Sequence, residues 1–136
     1  MTITGVVETT ISVEDVARSA EFYRRLFGFE SQVCEERFCA FTIVPGQLLL
    51  IFKRGGTLEP VILPGGTIPP HDGQGKMHFA LGIPADDFNA WLGRLRSFGI
   101  DVESVVEWPR GGKSIYFRDP DQHCVELLTP GVWENY

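Results

Sequence analysis

The order of elements along this chain is written twice, and that repeat limits the folds open to it more than any other feature. Residues 5–13, GVVETTISV, alternate like a half-buried strand, with Val7, Thr9, Ile11 and Val13 on one face and Val6, Glu8, Thr10 and Ser12 on the other. A helix is predicted over 14–27, carrying Val16, Ala20, Tyr23 and Phe27 on one side. Gly28 stands where a left-handed residue ends helices. Strands at 29–35, 37–44 and 47–53 follow, the last two joined by the turn pair Pro45-Gly46. Residues 76–83, KMHFALGI, begin the same order again, with Met77, Phe79, Leu81 and Ile83 opposed to His78, Ala80 and Gly82. A helix over 85–98 enters at Pro84 and leaves at Gly99. Strands at 100–107, 113–118 and 123–128 complete it, the last two joined by Asp119-Pro120-Asp121.

Each half therefore reads β-α-β-β-β and is too small to bury its own sheet well. The expectation is one α+β domain over 1–136, built of two βαβββ modules at about 4–53 and about 76–130. Between them, about 54–75, lies a connector with six glycines and four prolines. A stretch of this kind reads as a linker, as a cover over a site, or as both.

Composition narrows the function classes. Twelve Lys and Arg against eighteen Asp and Glu leave a net charge of −6, which argues against a duplex-binding surface. No apolar run approaches the roughly 18 residues of a membrane span. The first residues, MTITGVVETT, lack the basic-then-apolar layout of a secretion signal, so a soluble cytoplasmic chain is expected. Cys34, Cys39 and Cys124 are odd in number and lack zinc-like spacing, which reads most simply as three small buried hydrophobes.

One face of each predicted sheet is apolar and suits a helix packed on it. The opposite faces carry Glu8, Thr10 and Ser12; His78 and Ala80; Ser114, Tyr116 and Arg118; and Cys124, Glu126 and Leu128. Should the two sheets curve toward each other, these residues line one concave surface. Glu8 and His78 lie 70 positions apart, at matching places in the repeat. A carboxylate within a strand is costly unless it meets water, a basic partner such as Arg118, or a cation. One imidazole with two carboxylates suits a divalent ion that keeps positions open for water or substrate.

At these residues the chain resembles the vicinal oxygen chelate superfamily, the glyoxalase/bleomycin resistance protein/dioxygenase group. The segments that carry the likeness are VETTISVEDV at 7–16, AEFYRRLFGF at 20–29, HFALGI at 78–83 and SIYFRDPDQHCVEL at 114–127. The resemblance implies two βαβββ modules forming a cupped, mixed but mostly antiparallel sheet around a metal, commonly as a homodimer. It implies Glu8, His78 and Glu126 as metal ligands, with Glu8 and Glu126 as the catalytic carboxylates and Thr10, Ser114, Tyr116 and Arg118 as substrate contacts. Glu8 stands where many members carry His or Gln. A set of one His and two carboxylates leans toward Mn²⁺ or Mg²⁺, with Zn²⁺, Ni²⁺ and Fe²⁺ still open. The strand QLLLIFK offers only Leu50 or Ile51 where four-ligand glyoxalases have an acid. The three-ligand layout is closest to fosfomycin-resistance thiol transferases, although the tail GVWENY has no basic cluster.

Two function classes are open at this point. One is a small metal-dependent lyase, isomerase or thiol transferase whose ion chelates neighbouring oxygens of a small molecule and steadies developing negative charge. The other is a metal-free binding protein of the bleomycin-resistance kind, which holds a bulky ligand against aromatic walls; Trp91, Trp108 and Trp133 are candidates, though Trp91 is expected in the core. Neither calls for a nucleic acid or a membrane.

Overall fold

In the computed structural model, which describes residues 1–136, the repeat is carried by two four-stranded mixed sheets. The chain divides into two compact units, residues 1–75 and 76–136. The first contains β1 (Glu8–Val13), α1 (Val16–Phe27), β2 (Glu30–Cys34), β3 (Phe38–Val44) and β4 (Gln47–Lys53), followed by β5 (Val61–Leu63) and β6 (Gly66–Ile68). The second contains β7 (His78–Gly82), a 3-10 turn at Ala85–Asp87, α2 (Phe88–Ser97), β8 (Val102–Glu107), β9 (Lys113–Arg118) and β10 (Cys124–Leu128). No helix is long and apolar enough to cross a membrane.

In both four-stranded sheets the first strand pairs in parallel with the last, and the two strands between extend the sheet as antiparallel neighbours. The orders are β1-β4-β3-β2 and β7-β10-β9-β8. The expected alternation sets the faces. In the first unit Ile11, Val13, Cys39, Phe41, Leu49 and Ile51 are buried on one side, where Tyr23 and Leu26 of α1 are also fully buried. In the second, Phe79, Ile115, Phe117, Val125 and Leu127 are buried, as are Phe88 and Leu95 of α2. Trp91, expected in the core, is only half-buried, with the Arg94 guanidinium 5.9 Å from its ring centre.

Local signals fix the ends of α1. Asp15 is extended, and its carboxylate accepts the Arg18 N–H at 3.0 Å, so the helix starts two residues later than the periodicity alone predicts. Gly28, at φ 74°, closes it by donating its N–H to the Arg24 carbonyl at 2.9 Å. Arg24 and Arg25 sit in the last turn, where cations favour the helix dipole. Asp15→Ala is expected to cost about 1 kcal/mol of stability, measured as a lower urea midpoint at unchanged slope. A change in slope would instead locate the effect in the unfolded chain.

One expectation is corrected. Cys34 and Cys39 are not separate buried thiols: they face each other in the β2–β3 register and form a disulfide, leaving Cys124 as the free cysteine. The connector, expected as a linker or a cover, also carries structure that periodicity did not indicate: Val61–Leu63 and Gly66–Ile68 pair as a short antiparallel hairpin. Asp72 closes its base, accepting the N–H groups of Gly55 and Thr57 and the Thr57 hydroxyl at 3.1–3.3 Å. Desolvation acts to raise the Asp72 pKa, but these donated bonds outweigh it and hold the carboxyl below its ordinary value.

Candidate metal centre

The second unit brings four of the expected site residues into one connected group. Parallel pairing of β7 with β10 sets Cys124 opposite His78 and Glu126 opposite Ala80. Antiparallel pairing of β10 with β9 sets Glu126 opposite Tyr116 and Leu128 opposite Ser114. With a period of two, His78, Glu126, Tyr116 and Ser114 all point away from the buried face that carries Phe79, Val125, Phe117 and Ile115.

His78 and Glu126 come within 3.3 Å, measured from Nε2 to Oε2, and their side chains are 53% and 7% exposed. The other ring nitrogen of His78, Nδ1, lies 3.1 Å from the Cys124 carbonyl. A carbonyl oxygen can only accept, so Nδ1 carries a proton, and in the neutral ring Nε2 presents a lone pair to the carboxylate. Two lone pairs facing at this distance call for a cation, either a proton on Nε2 or a metal ion. A ring N–H tied to a backbone carbonyl is also how metal-binding imidazoles are commonly oriented. This donor pair fits a divalent ion. Within the unit no third His, Cys, Asp or Glu joins it.

Glu126 is further held by its cross-strand neighbour. The Tyr116 hydroxyl bonds to Glu126 and also interacts with Ser114. Burial first, and then the bond to Glu126, push the Tyr116 phenol above its ordinary pKa, and the Ser114 contact offsets only part of that rise. Ser114 is fully buried and accepts the indole N–H of Trp108 at 2.9 Å. A line of polar contacts thus runs from Trp108 through Ser114 and Tyr116 to Glu126 and His78. Periodicity gave no cue to Trp108, because it lies just beyond the end of β8.

Arg118 occupies the expected strand position, but its guanidinium is engaged. Nε and Nη2 pair with Glu103 at 2.5 and 3.0 Å, and Nη1 donates to the Gln122 carbonyl at 3.2 Å. The bond from Arg118 holds the Glu103 carboxyl below its ordinary range. An anionic substrate reaching Arg118 has to displace Glu103.

In the first unit, Glu8 and Thr10 are exposed on the face of β1 opposite the buried one. They pair in register with Leu48 and Leu50 of β4, so this face of β4 supplies no acid. Ile51, the other residue considered there, is buried on the helix side.

Comparisons with known proteins bear on this arrangement. A family model described as the Glyoxalase/Bleomycin resistance protein/Dioxygenase superfamily matches residues 5–127. The chain is 30% identical over 137 residues to the metallothiol transferase FosB of Shouchella clausii, a match covering 98% of this chain and 85% of that protein. It is 27% identical over 126 residues to the fosfomycin resistance protein FosX of Listeria monocytogenes, covering 92% and 89%. The crystal structure of a lactoylglutathione lyase from Agrobacterium tumefaciens is similar in fold, with a TM-score of 0.88 at 27% identity over 97% of this chain and 98% of that one.

Proposed function

The chain belongs to the glyoxalase/bleomycin resistance protein/dioxygenase superfamily, and on that premise we propose that it is a divalent-metal-dependent thiol transferase acting on a small oxygen-bearing electrophile. The observation that carries this reading is the His78–Glu126 pair, at 3.3 Å, with the His78 Nδ1 proton committed to a backbone carbonyl. The similarity to FosB, a metallothiol transferase, supports the reaction class.

In this reading His78 and Glu126 hold the ion together with Glu8, which occupies the matching place in the first repeat. Bound there, a divalent ion supplies Lewis-acid stabilisation of the oxygen that gains negative charge. The balanced change is formation of a C–S bond as a C–O bond breaks, with the thiol proton ending on the released oxygen. Tyr116 keeps its proton because burial and Glu126 favour the neutral phenol, so it can donate a hydrogen bond and is not a base. Ser114 orients Tyr116, and Thr10 and Tyr116 contact the substrate. Arg118 joins them only after exchanging Glu103 for an anionic group. The reading includes assembly as a homodimer.

The test is metal analysis of the full chain purified without an affinity tag, followed by thermal melts with Mn²⁺, Mg²⁺, Zn²⁺ and Ni²⁺. A metal at a hundredfold excess over its dissociation constant is expected to add about 2.7 kcal/mol of stability and raise Tm accordingly. Consumption of a low-molecular-weight thiol in the presence of fosfomycin then tests the reaction. Absence of both bound ion and metal-induced stabilisation overturns the enzyme reading in favour of a metal-free binding protein.

A further inference from the structure

We infer that His123 is a positioning residue that sets the register of β7 against β10 and thereby holds His78 within reach of Glu126. The importance of that register rests on the metal reading above, whereas the clamp itself rests only on contacts within the second unit.

β7 and β10 are parallel, and no tight turn joins them to dictate how they align. The apolar alternation does only part of that work. A slip of one residue would turn His78 to the buried side and expose Phe79, which burial forbids. A slip of two residues keeps every apolar residue on its proper face, yet it moves His78 by about 6–7 Å along the strand, out of reach of Glu126. Something beyond the hydrophobic pattern has to exclude even-numbered slips.

The contacts at the start of both strands do so. The Met77 N–H donates to His123 Nδ1 at 2.9 Å, and the Met77 carbonyl accepts the Cys124 N–H at 2.8 Å. Met77 is therefore gripped on both sides by consecutive residues at the entrance of β10, one residue before His78 begins β7. Because a backbone N–H can only donate, His123 Nδ1 carries no proton, and its acceptor lone pair is what selects the register. His123 is fully buried, so water offers Met77 no ready substitute at that position.

The loop holds His123 in this pose before any metal is considered. The Asp119 carboxylate accepts the N–H groups of Asp121 at 3.0 Å and His123 at 2.8 Å. The Gln122 N–H donates to the Asp119 carbonyl at 3.0 Å, and Gln122 itself takes the left-handed conformation at φ 67°. The DPDQH segment is thus a rigid turn that delivers one imidazole nitrogen to one backbone amide.

Three variants of the full chain test the inference. His123→Asn keeps an acceptor close to the place of Nδ1, His123→Gln moves the acceptor further out, and His123→Leu removes it. In metal-free protein, amide hydrogen exchange of Met77 is expected to speed up by about tenfold or more in His123→Leu relative to the core amide of Phe117, and to stay near wild type in His123→Asn. Should His123→Leu not fold, His123→Gln takes its place. Mn²⁺ affinity is expected to fall about 10–100-fold in the Leu or Gln variant and to be largely retained in the Asn variant. A merely structural histidine would lower stability and affinity in parallel in every variant, which overturns the inference. Unchanged Met77 protection in His123→Leu overturns it as well. Absence of binding by the unmodified chain of Mn²⁺, Mg²⁺, Zn²⁺ and Ni²⁺ alike overturns the metal reading alone, and the exchange measurement still decides the clamp.

Discussion

Glu126→Gln is expected to abolish metal retention and to lower kcat/KM for thiol transfer by about 10³-fold or more, roughly 4 kcal/mol of transition-state stabilisation. The substitution keeps the size and shape of the side chain, and the amide oxygen can still accept from Tyr116. What it removes is the carboxylate beside His78 Nε2, on which the proposed cation site depends. Stability should change by no more than about 1 kcal/mol, because a neutral amide avoids the desolvation cost of a carboxylate whose side chain is 7% exposed. Calorimetric titration with Mn²⁺ and steady-state kinetics measure the two effects separately. Metal affinity equal to that of the unmodified chain would remove Glu126 from the ligand set.

Phe117→Ala is expected to produce the largest loss of stability, about 3–5 kcal/mol by urea unfolding. Phe117 is fully buried and pairs with Val125 on one side and Val102 on the other. It is the residue around which β8, β9 and β10 pack on the side away from the candidate site. A domain of this size has about 5–15 kcal/mol to lose, so the variant should stand near the edge of folding. Its strand neighbours Tyr116 and Arg118 point the other way, and the protein that remains folded should keep most of its metal affinity. A loss below about 1 kcal/mol would mean that the cavity collapses readily and that Phe117 is not central to the packing.

Much of this architecture was legible from elementary patterns. Thr9 through Val13 and Phe79 through Ile83 alternate because each strand has one face on a helix and one away from it, and the structure keeps those apolar faces, whereas Val7 lies ahead of β1 and is exposed. Gly28 and Gly99 mark helix exits, and both take positive φ. What escaped was what depends on register between strands. The disulfide is invisible in a five-residue spacing and becomes evident only when β2 and β3 align Cys34 with Cys39. The Glu103–Arg118 pair is similar, since a register shift between Val102 and Ser104 intervenes in the β8–β9 ladder. The connector hairpin was hidden because Val61–Leu63 and Gly66–Ile68 are only three residues long and exposed, so they show no alternation. At the site, the His78–Glu126 pairing followed from motif and repeat position, whereas the roles of Trp108 and His123 needed the loops that aim them.

Pairing the first strand with the last also has a consequence for the order in which the molecule assembles. In the second unit, β8, β9 and β10 can zip together as successive antiparallel neighbours, each closing a short loop. Seating β7 beside β10 joins positions 46 residues apart, from Met77 to His123, and incurs the largest loop-closure entropy of the unit. His78 is made at the start of the second unit, yet it meets Glu126 only after β8, β9 and most of β10 have followed. A nascent or truncated chain lacking β10 would present an exposed imidazole and no partnered carboxylate. The His78–Glu126 contact therefore arrives only when β10 is seated, and on the proposed metal reading the onset of cation binding would serve as a time stamp for that strand.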